Sequence, residues 1–596
     1  MEKLDCVVIG AGWHGLAAAK QFHCMQPDCT LAIIESQSTL GGKWAESRLS
    51  PGLKSNNLLG TYEYPDFPMS SDKFNVKADQ HIPGEIIHEY LNAYARAFGI
   101  SDFIRLESTV LTATHQDDTA EGGWVLTVKS LKQKETQILA RRLIVATGLL
   151  SEPFMPRFKG QDKFGGNIFH GQDFRQNSDT LQTAKVVTVF GAGKSGWDAV
   201  YAYATAGVKV NWIIRSTGHG PCWMAPPYVT PFKRWIEELS NTRFLTWFSP
   251  CIWGDADGYQ GIRNFYHGTA IGRFLVDRFW GILGQDVISL NKYDSHPDTA
   301  KLKPWLEAMF AGCSYSILNY DQDFFELVKS DKVDVYIGEI DHLGPGKVHL
   351  ADGTELQSDA FFANTGYKHL CPIKFLPEGI ERELGIPHET TDNAPAEDLA
   401  NQHALIERVD HEILQRFPRL KKQPVWNKKF IPLEQKGEIS SDEIPLTPWM
   451  LYRFLIPPSP RFLRTRDIAF IGMQTNFSNT ITAHITGLWI SAYFSGKLTK
   501  DPARVVDDEE ATSKLQYETM LHNRFGRWRY PTESNKGPNF IFDAVPYLDM
   551  LQHDLGLNPY RKNGRLAEMY SPYGPKDYQD INAEWLKLHG GEKAEG

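Results

Sequence analysis

Short, wholly apolar runs alternate along the chain with glycine turns and with stretches of three-to-four-residue periodicity. That is the pattern of parallel strands buried on both faces and covered by helices. Val7-Val8-Ile9 runs into Gly10-Ala11-Gly12-Trp13-His14-Gly15 and a helical stretch from Leu16 to about Phe22. The order returns at Val186 to Phe190, followed by Gly191-Ala192-Gly193-Lys194-Ser195-Gly196 and a helix beginning near Trp197. Two more apolar strands end in glycine turns, at 143–148 and in Ala360-Phe361-Phe362-Ala363-Asn364-Thr365-Gly366-Tyr367, and read as the crossovers between the two repeated units. A last strand, 467–471, leads through Gly472-Met473-Gln474-Thr475-Asn476 into an apolar helix from about 482 to 494 and returns the chain to the first unit.

Each repeated unit is a strand, a tight glycine turn and a helix. Glycine lets the backbone approach a pyrophosphate, and the free N–H groups at the helix start meet its charge. Glu35 follows the apolar Leu31-Ala32-Ile33-Ile34, where a carboxylate accepts from both ribose hydroxyls; this favours an adenosine with a free 2′-hydroxyl, such as FAD. Arg215 stands at the corresponding strand end of the second unit. A guanidinium there suits a 2′-phosphate and so NADPH; the alternative is an ordinary surface cation.

The expected fold is α/β, with two Rossmann-like dinucleotide-binding domains, the FAD domain split in sequence by the NADPH domain. The boundaries read as 1–180 and 351–500 for the two parts of the FAD domain, 181–350 for the NADPH domain and 501–596 for a C-terminal extension. A helical, aromatic-rich insertion at about 218–331 carries Trp223, Trp235, Trp247, Trp253, Trp280 and Trp305. It reads as a hydrophobic core or as a lid over a substrate tunnel. Segment 377–445, rich in Glu, Asp, Pro and Lys, reads as surface helices and loops.

Composition narrows the partners. The 596 residues are 42% hydrophobic and 12% aromatic, and no stretch approaches the ~18 consecutive apolar residues of a transmembrane span. With 63 basic against 72 acidic residues and no basic block, nucleic acid is not an expected partner. Seven cysteines without a C-x-x-C pair suggest neither a disulfide framework nor a metal site, and fit reduced thiols in a cytoplasmic protein. Met1 to Asp5, which runs straight into the first apolar run, is too short to read as a signal peptide. Oligomeric state is not legible.

One segment is far more specific than a glycine turn. Phe164-Gly165-Gly166-Asn167-Ile168-Phe169-His170-Gly171-Gln172-Asp173-Phe174 fits the fingerprint FxGxxxHxxx(Y/F) just ahead of the second nucleotide motif. Gly41-Gly42-Lys43-Trp44, Tyr64-Pro65-Asp66-Phe67-Pro68 and Asn364-Thr365-Gly366-Tyr367 surround it in order. Over about residues 5 to 500 the chain resembles the class B flavoprotein monooxygenases, most closely the flavin-containing monooxygenase branch.

The resemblance implies an enzyme that uses FAD, NADPH and O2 to insert one oxygen atom into a small-molecule substrate by way of a flavin 4a-hydroperoxide. It implies cofactor contacts from Gly10, Ala11, Gly12, Gly15, Glu35, Gly42, Lys43, Trp44, Ser55 and Asn57 on the FAD side. On the NADPH side it implies Gly191, Gly193, Lys194, Ser195, Gly196, Asp198 and Arg215, and at the crossovers Thr365, Gly366, Gln474 and Thr475. Asn56, just past Pro51-Gly52-Leu53-Lys54-Ser55, is the implied catalytic residue, since an amide donates without a titrating proton. The ketone-oxidising Baeyer–Villiger relatives commonly carry aspartate there and tryptophan where this chain has Phe174. The implied reaction is therefore N- or S-oxygenation, with Baeyer–Villiger oxidation and uncoupled NADPH oxidation as alternatives. For His170 a structural or hinge role is expected over direct chemistry.

Overall fold

The computed structural model describes residues 1–589 apart from 118–120, 132, 231–233, 313–314, 390–395, 425–426, 434–445 and 533–538. Its first sheet is built on β1 (Glu2–Ile9), followed by α1 (Trp13–Met25) and β2 (Leu31–Ile34). Cys6, Val7 and Val8 have no solvent exposure, because the sheet is covered on both faces there. An antiparallel pair of β3 (Lys54–Leu58) and β4 (His81–Pro83) stands outside this sheet, and β5 (Ile104–Arg105), β6 (Ser108–His115), β7 (Trp124–Ser130) and β8 (Gln133–Val145) complete its first pass.

The chain then enters a five-stranded sheet through β9 (Asn167–His170), β10 (Val186–Phe190), α2 (Lys194–Thr205) and β11 (Lys209–Ile214). The insertion follows; within it lie α3 (Ile236–Ser240) and α4 (Arg243–Thr246). β12 (Val333–Ile337) and β13 (Ala360–Ala363) close the sheet in the order β12-β11-β10-β13-β9, all parallel. The chain returns to the first sheet at β14 (Lys374–Leu376), which pairs with β6, and at β15 (Ile468–Phe470), which pairs with β8. The first nucleotide unit is thus split by the second, as the sequence implies.

Two boundaries differ from the sequence reading. β9 and β13 both belong to the second sheet, so that unit takes in chain on either side of 181–350. The apolar run Ala360–Ala363 is no bare crossover: β13 fills the position between β10 and β9, and only strand pairing reveals that. The second helix starts at Lys194 rather than near Trp197, and α5 (Asn479–Phe494) starts ahead of 482.

α5 is buried all round and lies against α1. A Cβ at Gly487 would stand 3.2 Å from the Ala17 carbonyl oxygen and 3.2 Å from Ala18 Cα, so the glycine permits the close approach. Among the described residues no helix is long and apolar enough to cross a membrane, and the described cysteines are free thiols; Cys313 lies outside them.

The insertion's tryptophans are chiefly core. Trp223, Trp247, Trp253 and Trp280 are buried, while Trp235 and Trp305 are half-buried. Trp253 meets Phe525 and Phe540 of the C-terminal extension edge-on, and its indole N–H donates to the Asp543 carbonyl at 3.1 Å. Buried charge fixes the same contact. The Arg243 guanidinium, with no exposure, donates to Asp549, to Glu568 at 2.7 Å, to the Pro559 carbonyl at 3.1 Å and to the Tyr573 hydroxyl at 3.0 Å. Segment 377–445 is partly outside the described residues. Its helix Ala396–Arg416 docks on the helix Glu509–Arg529 through an Asp410–Arg524 pair at 2.7 Å.

Removing one member of a buried ion cluster strands the others without partners, which costs about 3–5 kcal/mol. Arg243→Ala is therefore expected to lower the urea midpoint of the tertiary signal strongly, and Arg408→Ala, on an exposed position, to leave it nearly unchanged. A small shift in Arg243→Ala would show that the extension does not depend on this cluster.

Candidate functional site

The first glycine turn opens into a cleft of about 560 Å³ between the first unit's strand ends and α5. Gly10 has φ +107°, a left-handed backbone where a Cβ would also stand 2.6 Å from the Ala146 carbonyl oxygen. A Cβ at Gly15 would lie 1.9 Å from the Gly10 carbonyl oxygen, so no side chain fits where α1 crosses β1. Gly12 faces Gly42 across the cleft, its Cβ position 3.6 Å from Gly42 Cα. Glu35, at the end of β2, accepts from the Ala11 and Gln37 amides, each at 2.8 Å, which fixes the carboxylate at the cleft's edge. Lys43 and Trp44 line the same cleft on a short helical turn.

The deeper wall carries Trp13, His14, Tyr62, Thr147, Gln172, Gln474, Thr475, Asn476 and Asn479, the last opening α5. Several of their polar atoms are buried without a protein partner. Both ends of the Gln474 amide, Asn476 Oδ1, Gln172 Oε1 and His14 Nε2 are in this state. A buried polar group left unsatisfied costs about 1–3 kcal/mol, so a wall with several of them is built for a ligand that offers both donors and acceptors. Burial pulls His14 down to about 4, leaving a neutral imidazole. The lining suits a flavin dinucleotide: the glycines leave room for a pyrophosphate, Glu35 offers a carboxylate at the end of β2, and the unpartnered amide atoms would serve a polar ring system.

The second turn repeats the first in outline. Gly191 has φ +101°, and a Cβ there would stand 2.4 Å from the Asn364 carbonyl oxygen; one at Gly196 would stand 2.4 Å from the Gly191 carbonyl oxygen. Asn364 caps the turn by donating to the Gly193 carbonyl at 3.2 Å. Ser195 is exposed on the first turn of α2. Lys194, its neighbour, pairs with Asp198 and donates to Asn319 Oδ1 at 2.9 Å. Asp198 also accepts from the Tyr320 hydroxyl at 3.0 Å, so its carboxylate orients the lysine. Arg215 follows β11, and its guanidinium donates to Thr217 Oγ1 at 3.0 Å and to the Ile431 carbonyl. An open glycine turn at a helix start with two cations beside it fits a second, phosphorylated dinucleotide.

The units meet where Lys43 donates to the Tyr367 hydroxyl at 2.6 Å. In the same turn Thr365 donates to the Phe154 carbonyl, and Gly366 has φ +89° with open space where a side chain would stand. His170 is drawn down to about 4 by burial and by Lys43; its ring meets Tyr367 edge-on and accepts from the Gln172 amide at 3.1 Å, so it shapes the turn that carries Gln172 into the cleft.

The structure does not bring Ser55 or Asn57 to the cleft. Both are buried on one face of β3: the Ser55 hydroxyl donates to the Asn57 carbonyl at 2.6 Å, and the Asn57 amide donates to Glu237 and to the Phe477 carbonyl. Strand alternation turns Asn56, half-buried, to the other face, and it too is not among the residues that line the cleft. Sequence reasoning missed His14, Tyr62, Gln172, Asn476 and Asn479. Asn476 and Asn479 were within reach, since they follow the Gln474-Thr475 pair into α5.

Two glycine turns, each opening a helix toward a dinucleotide-sized cradle, define a two-nucleotide α/β oxidoreductase. The flavin-binding monooxygenase-like profile matches residues 3–227. The FAD-dependent monooxygenase rstn6 of Aspergillus nomiae is 31% identical over 98% of this chain and 98% of its own. The FAD-dependent monooxygenase resA of Aspergillus sclerotiorum is 30% identical, also over 98% of each. The chain belongs to the flavin-binding monooxygenase-like family and is an enzyme of the oxidoreductase class. An open crystal structure of cyclohexanone monooxygenase superposes with a TM-score of 0.56 at 15% identity, covering 99% of this chain and 98% of that one. S-allyl-L-cysteine S-oxygenase from Allium sativum gives 0.51 at 15%, covering 99% and 94%. At this identity the two solved structures establish the shared fold.

Gln474→Leu keeps the volume and removes both amide ends. Flavin binding should weaken by about 1–2 kcal/mol, roughly ten-fold, in a fluorescence titration of apoprotein. Gly15→Ala should yield folded but colourless protein or none; a yellow Gly15→Ala protein would contradict the steric reading of the turn.

Proposed function

We propose that this enzyme is an FAD- and NADPH-dependent monooxygenase that transfers one oxygen atom to a nitrogen or sulfur of a small organic molecule. The observation that carries the reading is the neutral amide of Asn56 on β3. The strand is tied to the cleft wall by the Asn57 bond to the Phe477 carbonyl at 3.2 Å, between the cleft residues Asn476 and Asn479.

When bound, the flavin supplies the activation of dioxygen and NADPH supplies the two electrons. The chain's own residues do the rest. The Gly10 and Gly191 turns hold the two pyrophosphates, Glu35 takes the free ribose of FAD, and Arg215 with Lys194 takes the 2′-phosphate side of NADPH. Lys43 and Tyr367 join the two units, keeping the nicotinamide domain in register with the flavin cleft. Trp13, Trp44 and Tyr62 form an aromatic wall, rings 4.8 to 6.1 Å apart, that excludes water from the reacting end. The Asn56 amide does not titrate and cannot act as a base, so the oxygen to be transferred is not stripped of its proton and stays electrophilic toward a soft nucleophile. A carboxylate at that position would be a base able to take that proton, and the more nucleophilic oxygen left behind would attack a carbonyl carbon instead.

Asn56→Asp is expected to raise hydrogen peroxide release per NADPH consumed, with heteroatom substrates losing turnover and flavin content unchanged. Turnover under labelled O2 should place one labelled atom in an amine or sulfide product. An ester or lactone as the main product, or unchanged coupling in Asn56→Asp, would defeat the proposal. Separately, Arg215→Ala should raise KM for NADPH far more than for NADH; equal effects would remove Arg215 from the 2′-phosphate.

A further inference from the structure

We propose that Glu237, on insertion helix α3, is a positioning residue that clamps β3 through Asn57 and thereby sets the orientation of Asn56. This rests on the reading that Asn56 serves oxygen transfer.

The geometry is a pair of clamps from opposite ends of one insertion. Glu237, 1% exposed, accepts from the Asn57 side-chain amide, whose nitrogen also donates to the Phe477 carbonyl. At the far end of the insertion, Asn319 donates to the carbonyls of Lys54 and Ser55, at 3.1 and 3.2 Å, and accepts from Lys194 at 2.9 Å. Ser55 is held further by its bonds to the Asn57 carbonyl and from the Ile82 amide. The residues on either side of Asn56 are therefore pinned, and so are the two peptide planes that decide where its side chain points. The insertion that reads from sequence as core or lid is also the frame of the strand beside the cleft.

Asn57 can donate to the Glu237 carboxyl in either protonation state, and ionisation adds a buried charge beside that bond. Burial pushes the Glu237 carboxyl up to about 7 against an ordinary 4.5, outweighing the hydrogen bonds from Thr61, Asn57 and the Leu58 backbone that pull it down. The titratable groups facing it are Tyr62, which lines the cleft, and Glu238 on its own helix; neither offers a compensating positive charge. The fold thus keeps a proton here that the unfolded chain has released above about 4.5. Stability falls as pH rises through that window to about 7, and the charge that appears there is buried beside β3.

The test uses holoenzyme and three variants, with coupling measured as peroxide per NADPH and β3 followed by hydrogen exchange of peptides covering 54–58. Wild type should lose coupling as pH rises through about 7. Glu237→Gln, which keeps the acceptor and cannot ionise, should couple like low-pH wild type and lose this pH dependence. Glu237→Ala should speed exchange in 54–58 and raise peroxide release severalfold while leaving KM for NADPH unchanged. Asn57→Ala should behave like Glu237→Ala. Wild-type exchange and coupling in Glu237→Ala, or an unaltered pH profile in Glu237→Gln, would overturn the proposal. If labelled oxygen enters no product in wild type, the oxygenase reading fails on its own account, and the exchange data still decide whether Glu237 holds β3.

Discussion

Backbone-to-backbone approach at the two glycine turns is the constraint on which the rest of the molecule depends. At Gly15 and at Gly196 a single carbon would stand 1.9 and 2.4 Å from the carbonyl oxygen of the first glycine of the same turn, Gly10 and Gly191. Helix and strand are so close there that only a bare backbone passes, and no side chain caps the amides that start either helix. A dinucleotide supplies what those amides lack. The parallel sheets, the crossovers and the return of the chain at β14 and β15 all bring other residues to the rims of these two openings.

What surrounds the openings is held by a different interaction. The insertion and the C-terminal extension share an aromatic core, and buried guanidinium groups are threaded through it: Arg243 among Asp549, Glu568 and Tyr573, Arg263 on Asp257, Arg453 on Asp554 and Glu518. Buried charges are costly unless every hydrogen-bonding position is filled, so each such cluster permits few arrangements of the helices it joins. The extension is thereby locked to the insertion, and the insertion, through Glu237 and Asn319, to β3. Parts of the chain remote in sequence from the nucleotide turns set the geometry beside them.

Asn56 and its neighbours show where a sequence reading stops. The family resemblance gave the polar run Ser55, Asn56 and Asn57 to the site. In the structure, strand alternation divides them: Ser55 and Asn57 spend their hydrogen bonds on the protein, and Asn56 is turned away from them. Likewise Asp198 orients Lys194, a service that a residue four positions along a helix is placed to give.

The sequence by itself determined the repeated strand, turn and helix, because a glycine demanded by backbone sterics and an apolar run demanded by burial leave local marks. It determined the acid at the first strand end, the arginine at the second, and the division of one nucleotide unit by the other. Only the tertiary structure decided that β9 and β13 belong to the second sheet, that Gln474 and Asn476 face the cleft unsatisfied, and that Glu237 lies against Asn57. Those outcomes depend on which distant segments meet, and a contact between residues far apart along a chain has no periodicity or spacing by which it can be read.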